Sequence, residues 1–107
     1  MLKALGIGDN VCDIYLHTKT MYPGGQALNF AANAKLMGAE SAFIGIFGND
    51  AVARHIQAVM DELGISRERS RNVEGENGFA RVLIEHGERI FKGSNRGGVL
   101  QQNPIEL

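Results

Sequence analysis

The sequence predicts an α/β fold, in which a parallel sheet with helical crossovers carries a small antiparallel flap. Two apolar, strand-like runs at residues 2–7 and 41–46 are each followed by a run with helical character. Alternation at this spacing is typical of parallel strands joined by crossover helices. The last third differs, since two strand-like runs meet at His86-Gly87, a pair that suits a tight hairpin turn.

The strands are predicted from apolar runs and the residues that end them. Residues 2–7 form an apolar run closed by Gly8, and residues 11–16 alternate less cleanly but also indicate a strand. Residues 41–46 are short and apolar throughout, which is typical of a strand buried on both faces. Residues 18–23 are predicted to be a loop.

Two helices are predicted between and after these strands. The first spans residues 27–37, with Gly38 placed as its C-terminal cap. Asn49 or Asp50 is expected to cap the second helix, which Gly64 ends. Apolar residues of the second helix follow one stripe at helical spacing. They are Val52, Ile56, Val59, Met60 and Leu63.

The flap is predicted from strand-like runs at residues 79–85 and 88–92. Flaps of this kind close over ligands and exclude water. Phe91 on this flap could cover a ligand, although a packing contact within the hairpin explains it equally well. The polar loop at residues 93–98 could be a hinge, or it could bring Asn95 or Arg96 to a ligand.

Composition excludes several classes of function. The net charge is −1, and Lys and Arg are scattered among Asp and Glu, so we expect no nucleic-acid partner. Cys12 is the single cysteine, which indicates no internal disulfide and a reducing, cytoplasmic location. We expect no signal peptide and no membrane span. The three histidines are far apart and have no carboxylate or cysteine at ligand spacing, so no metal site is predicted.

A candidate small-molecule site lies at residues 22–29. Gly24 and Gly25 permit positive φ and let a ligand approach the main chain closely. The helix that follows is expected to direct its first N–H groups at the same place, and Asn29 lies in its first turn. Gly6 and Gly8 begin a partial dinucleotide motif, but Val11 occupies the position of its third glycine. The chain also has no Gly-Lys-Ser/Thr phosphate loop, so a nucleotide site is disfavoured.

Asp9 and Asp13 bracket the turn after the first predicted strand, where open α/β sheets bind ligands. Each carboxylate could accept hydrogen bonds from ligand hydroxyls, or it could be a solvated turn acid or a helix cap. Amide side chains at helical spacing follow at Gln26, Asn29 and Asn33, and amides suit neutral polyols. We favour a ligand role for Asn29, leave Gln26 open and assign Asn33 to the solvent face.

Taken together, these residues resemble the ribokinase-like (pfkB) carbohydrate kinases over essentially the whole chain. The signature spacing of that family is matched by Gly24, Gly25, Ala27, Asn29, Ala31, Gly38 and Gly48. Residues 8–13, 44–50 and 78–82 with 87–89 look like its sugar-binding aspartate segment, its second strand and its lid hairpin. Within the family, residues 8–10 and 22–25 look most like those of the fructosamine kinases, such as fructoselysine 6-kinase.

The resemblance implies a ribokinase-like three-layer α/β/α core with a small β lid. Residues 1–107 would be the N-terminal, sugar-binding part, with lid strands around 11–18 and 79–92. The complete protein would phosphorylate a sugar or fructosamine hydroxyl with ATP and Mg²⁺, and would pair as a homodimer through its lid. The implied substrate-binding residues are Asp9, Asp13, Gly24, Gly25, Asn29 and Phe91.

Some positions depart from the family pattern. Gln26 stands where ribokinase carries a basic residue, Ala53 replaces a common glycine, and Asn77 lies near a common threonine. The family's catalytic Gly-x-Gly-Asp segment and ATP pocket belong to a C-terminal half, so this chain alone is expected to bind no cofactor and to be inactive. A helix predicted to begin at Asn103-Pro104 has barely begun at residue 107, which also indicates a fragment. A non-catalytic sugar-binding module and the structural half of a split kinase remain alternatives.

Overall fold

A computed structural model describes residues 2–105 as two sheets, two helices and a short 3₁₀ helix. The elements in chain order are β1 (Lys3–Gly8), β2 (Val11–Tyr15), β3 (Thr20–Gly24), α1 (Gln26–Leu36), β4 (Glu40–Phe47), α2 (Ala51–Leu63), β5 (Arg71–Asn72), β6 (Phe79–Glu85), β7 (Glu88–Ser94) and the 3₁₀ helix Val99–Gln101.

The core sheet has the order β1-β4-β5, and both of its pairings are parallel. Helix α1 crosses from β1 to β4 as predicted. Gly6 of β1 lets α1 approach closely, because a Cβ there would collide with the carbonyl oxygen of Ala27. Both helices pack into one buried cluster. Its members are Cys12, Leu28, Ala31, Phe43, Phe47, Ala53, Ile56, Met60 and Ile65.

The predicted helix ends are confirmed. Asp50 accepts a hydrogen bond from the N–H of Ala53 at 3.0 Å, and Gly64 ends α2 in the left-handed conformation with φ 78°. Gly38 follows α1 with φ 97°. These positions satisfy the backbone groups that a helix end leaves without intrahelical partners.

The flap sheet, defined as the strands β3-β2-β6-β7 in that order, joins the two antiparallel hairpins through the parallel pair β2 and β6. His86 and Gly87 have φ 53° and 77°, so the predicted hairpin turn is confirmed. Cys12 at the root of this sheet is fully buried, which makes the sheet continuous with the core.

One prediction of local structure was wrong. Residues 18–23 were predicted to be a loop, but Thr20–Gly24 is strand β3, which pairs with β2 at the edge of the flap sheet. Pro23 suggested a loop, yet an edge strand tolerates proline because one row of its N–H groups needs no partner. The short strand Arg71–Asn72 follows a charged stretch of the chain and pairs with the end of β4.

The core sheet is only partly covered by the described residues. Leu5 and Ile7 of β1 alternate with the residues that face α1 and remain 48% and 44% exposed. The prediction of a partial α/β/α core is therefore confirmed for one helical layer and the sheet. None of the helices formed by the described residues is long and apolar enough to cross a lipid bilayer. Pro104 and Ile105 are not helical, and residues 106–107 of the predicted last helix lie outside the described range.

Candidate functional site

The junction between β3 and α1 lies between two carboxylates. A Cβ added to Gly24 would lie 3.6 Å from Oδ2 of Asp13, and one added to Gly25 would lie 3.1 Å from Oδ2 of Asp9. Gly25 also has φ 98°, a conformation that L side chains rarely adopt. The structure therefore brings four of the predicted site residues together, with the glycine pair bordered by one carboxylate on each side.

Asp9 caps helix α1 from a distance of 17 residues along the chain. Its carboxylate accepts hydrogen bonds from the N–H groups of Ala27 at 2.9 Å and Gln26 at 3.3 Å. Its carbonyl oxygen accepts from the N–H of Leu28 at 3.3 Å. The expectation that the first N–H groups of α1 point at a ligand was wrong, because Asp9 already accepts them and offsets the positive end of the helix dipole.

Asp13 lies on the flap sheet rather than in a turn. It pairs across the sheet with Tyr22 of β3 and Ala80 of β6, and its side chain is 33% exposed. Oδ2 of Asp13 accepts a long hydrogen bond of 3.5 Å from Nη2 of Arg89. This carboxylate therefore retains access to solvent and room to accept further hydrogen bonds.

Aromatic side chains lie on the same face of the flap sheet as Asp13. Tyr15, two residues along β2, contacts Tyr22 edge to face with ring centroids 5.3 Å apart. Phe91 of β7 pairs with Val82, which in turn pairs with Tyr15, and it is 65% exposed. Tyr15 and Arg89 were not predicted to lie at the site, although the two-residue period of β2 places Tyr15 on the face of Asp13.

Asn29 lies on the first turn of α1, and its N–H donates to the carbonyl of Gly25 at 2.8 Å. Its side chain is exposed and borders a cavity of about 90 Å³ between α1 and α2. The structure thus places Asn29 near the glycine pair but does not join its amide to either carboxylate among the described residues. Gln26 and Asn33 are also exposed.

A buried amide network fixes the root of the flap sheet. Asn77 accepts a hydrogen bond from the N–H of Gly48 at 3.0 Å and donates to Oδ1 of Asn10 at 2.9 Å. Asn95 accepts from the N–H of Phe79 and donates to the carbonyl of Asn77. Asn95 is therefore a structural clamp, so the alternative in which it reaches a ligand is not supported.

The Cys12 thiol lies beside this site but is expected to be unreactive. Burial, together with the smaller effect of the neighbouring carboxylates of Asp13 and Asp50, raises the pKa of Cys12 to about 11. The thiolate is the reactive form of cysteine, so Cys12 acts as a small buried hydrophobe.

Comparison with known proteins identifies the architecture. The family model for the pfkB family carbohydrate kinases matches residues 3–107. This chain belongs to the pfkB family of carbohydrate kinases. The family resemblance and the ribokinase-like fold inferred from the sequence are both confirmed.

Individual pfkB relatives are longer than this chain. Fructosamine kinase FrlD of Bacillus subtilis (strain 168) is 46% identical over 99 residues, which are 92% of this chain and 35% of the relative. An apo fructokinase structure from Vibrio cholerae O395 has a TM-score of 0.75 at 26% identity, and the match covers 86% of this chain and 33% of the fructokinase chain. A fructokinase structure from Xylella fastidiosa with bound ATP has a TM-score of 0.76 at 23% identity, and the match covers 88% of this chain and 33% of that fructokinase chain. This chain therefore spans about a third of the length of these pfkB proteins.

Proposed function

We propose that residues 1–107 form the sugar-binding part of an ATP-dependent carbohydrate kinase, whose complete form phosphorylates a hydroxyl of a sugar or fructosamine. The observation that carries this proposal is the partly exposed carboxylate of Asp13, which lies on the aromatic side of the flap sheet beside Gly24. Membership of the pfkB family and 46% identity to a fructosamine kinase support it.

Each predicted residue has a distinct role in this proposal. Asp13 accepts hydrogen bonds from sugar hydroxyls, which are favourable because the acceptor is charged. Gly24 and Gly25 let the sugar approach the main chain, and Asn29 offers an amide at the mouth of the site. Asp9 acts mainly on α1, since its carboxylate holds the helix whose first turn carries Asn29. Phe91 covers the sugar when the flap closes, which excludes water from the reaction.

ATP and Mg²⁺ belong to the proposed activity of the complete protein. Phosphoryl transfer needs ATP to be positioned, its charge to be neutralised and the hydroxyl to be oriented. The described residues do not fit the phosphates, because Asp9 rather than a ligand takes the first N–H groups of α1. We therefore derive no step through ATP from this chain and expect the chain alone to show no turnover.

We further propose a homodimer through the flap sheet in the cytoplasm. Leu16 and Ile84 lie on the outer part of the flap and are 41% and 45% exposed, so pairing of two flaps would bury apolar surface. The buried and unpaired Cys12 is consistent with a reducing compartment.

The test measures ATP-dependent phosphorylation and calorimetric binding of fructoselysine, fructose and ribose by the complete protein. Asp13→Asn is expected to lower kcat/KM by about 10- to 100-fold, because a charge-assisted hydrogen bond is lost. Asp61→Asn is the matched control, since Asp61 is an exposed acid on α2 that pairs with Arg67. Sugar binding without phosphorylation would favour the non-catalytic sugar-binding module, and no heat with any of the sugars would refute the proposed site.

A further inference from the structure

Arg89 reaches across the flap sheet to the candidate sugar site. Its strand β7 is separated from β2 by β6, yet its Nη2 lies 3.5 Å from Oδ2 of Asp13. Its guanidinium carbon also lies 5.8 Å from the centroid of the Tyr15 ring. The guanidinium therefore lies over the face of the flap sheet that carries Asp13, the aromatic rings and Phe91.

The guanidinium of Arg89 has few protein partners in this position. A contact of 3.5 Å is long for a charge-assisted hydrogen bond, which is typically about 2.8 Å. The Arg89 side chain is 60% exposed, and within residues 2–105 Asp13 provides its one side-chain acceptor. A guanidinium has five N–H donors in a planar fork that fits a carboxylate with two parallel hydrogen bonds. Arg89 thus has donors to spare for an anionic group of a ligand at Asp13.

We propose that Arg89 is a specificity-determining residue, which makes the site prefer sugar derivatives that carry a carboxylate; this rests on the proposed kinase function. Sugar hydroxyls donate to Asp13, while the carboxylate of the same substrate accepts from Arg89. A fructosamine formed from an amino acid has both groups in one molecule. Its secondary ammonium can lie against the exposed ring of Tyr22, since the face of an aromatic ring attracts cations. A plain sugar supplies only the hydroxyls and leaves Arg89 unmatched.

The experiment compares two substrates with the complete protein at saturating ATP, and the KM for ATP is measured separately at a saturating concentration of fructosamine. One is the fructosamine of glycine, with a free carboxylate, and the other is the fructosamine of glycinamide, which differs only in that group. The variants are Arg89→Gln, which removes the charge, and Arg89→Lys, which keeps it without the fork. Arg81→Gln is the matched control, because Arg81 is a flap arginine that stacks on Phe79 at 4.7 Å instead of contacting Asp13.

The wild-type protein is expected to prefer the carboxylate substrate by about tenfold in kcat/KM, the value of one charge-assisted pair in a partly exposed site. Arg89→Gln should reduce that ratio to about one by raising KM for the carboxylate substrate alone, with kcat unchanged. Arg89→Lys should keep part of the preference, and Arg81→Gln should keep all of it.

Three results would overturn the inference: no preference in the wild-type protein, an equal loss for both substrates with Arg89→Gln, or a rise in KM for ATP instead of for the fructosamine. The last would assign Arg89 to the phosphates of ATP. Failure of the wild-type protein to phosphorylate either fructosamine or any sugar would instead refute the proposed kinase function itself.

Discussion

Asn77 joins the flap sheet to the core, and Asn77→Ala is expected to lower the free energy of unfolding by about 2–4 kcal/mol. Asn77 is completely buried, just before β6. Its Oδ1 accepts from the N–H of Gly48 at the end of β4, and its Nδ2 donates to Asn10 between β1 and β2. One amide thus connects three segments that are distant in sequence.

The magnitude follows from the groups that the substitution would leave without partners. Alanine removes the acceptor of the Gly48 N–H and the donor to Oδ1 of Asn10, and Asn10 is only 3% exposed. Each buried polar group without a partner costs about 1–3 kcal/mol. The free energy of unfolding of a domain is about 5–15 kcal/mol in total, so the expected loss from Asn77→Ala is a large fraction of the stability.

Urea unfolding followed by circular dichroism, at low protein concentration, measures the effect. Asn33→Ala is the matched control, because Asn33 is exposed on α1. It should change the free energy of unfolding by no more than about 0.5 kcal/mol. If Asn77→Ala changed it as little as Asn33→Ala, with the same dependence on urea, the amide network would not hold the flap and the reasoning would be wrong.

Three other predictions concern the junction, the thiol and the open sheet edge. Gly25→Ala should destabilise the protein more than Gly38→Ala in urea unfolding. Both glycines have φ near 98°, but only at Gly25 would the added Cβ lie 3.0 Å from the Asp9 carbonyl oxygen. If both variants lost the same free energy of unfolding, that contact would not be the cause. The pKa of Cys12 is about 11 in the folded protein, against 9.0 for an ordinary thiol, so folding favours the protonated thiol. The stability of the protein is therefore unaffected by this group below pH 9 and falls as the pH rises from 9 towards 11. Denaturation between pH 8 and about 11 should show this decline, and Cys12→Ala should lack it. Ile7→Lys should reduce self-association of the 107-residue chain in sedimentation, because it puts a charge on an exposed apolar strand at the sheet edge; a wild-type chain that stays monomeric at all concentrations would contradict this.

The features that the sequence predicted correctly are set by neighbours in the chain. The cap of α2 depends on Asp50 and Ala53, three residues apart, and the flap turn depends on His86 and Gly87 alone. Strand β3 was missed because Pro23 suggests a loop by itself. Its edge position, which makes proline acceptable, is determined by pairing with β2.

The candidate site was predicted in part, for the same reason. Asp9 and Asp13 follow the first strand, which sufficed to single them out, but only tertiary contacts decide that Asp9 caps a helix 17 residues away. Arg89 is 76 residues from Asp13, and they meet because β2 pairs in parallel with β6. No local pattern predicts that pairing, so no reading of the local sequence could place Arg89 in the site.

The candidate site takes some of its residues from the core and others from the flap sheet. Asp9 and α1 are attached to the core sheet, and the cap fixes their relative position. Asp13 and Arg89 belong to the flap sheet, whose root is held by buried Cys12 and Asn77, while Phe91 towards its tip is largely exposed. We expect the proposed closure of the flap to pivot at that root, so that Asp13 moves little and Arg89 and Phe91 move more. A ligand would then meet Asp13 as a fixed acceptor, and its remaining groups would decide whether the outer flap closes on it.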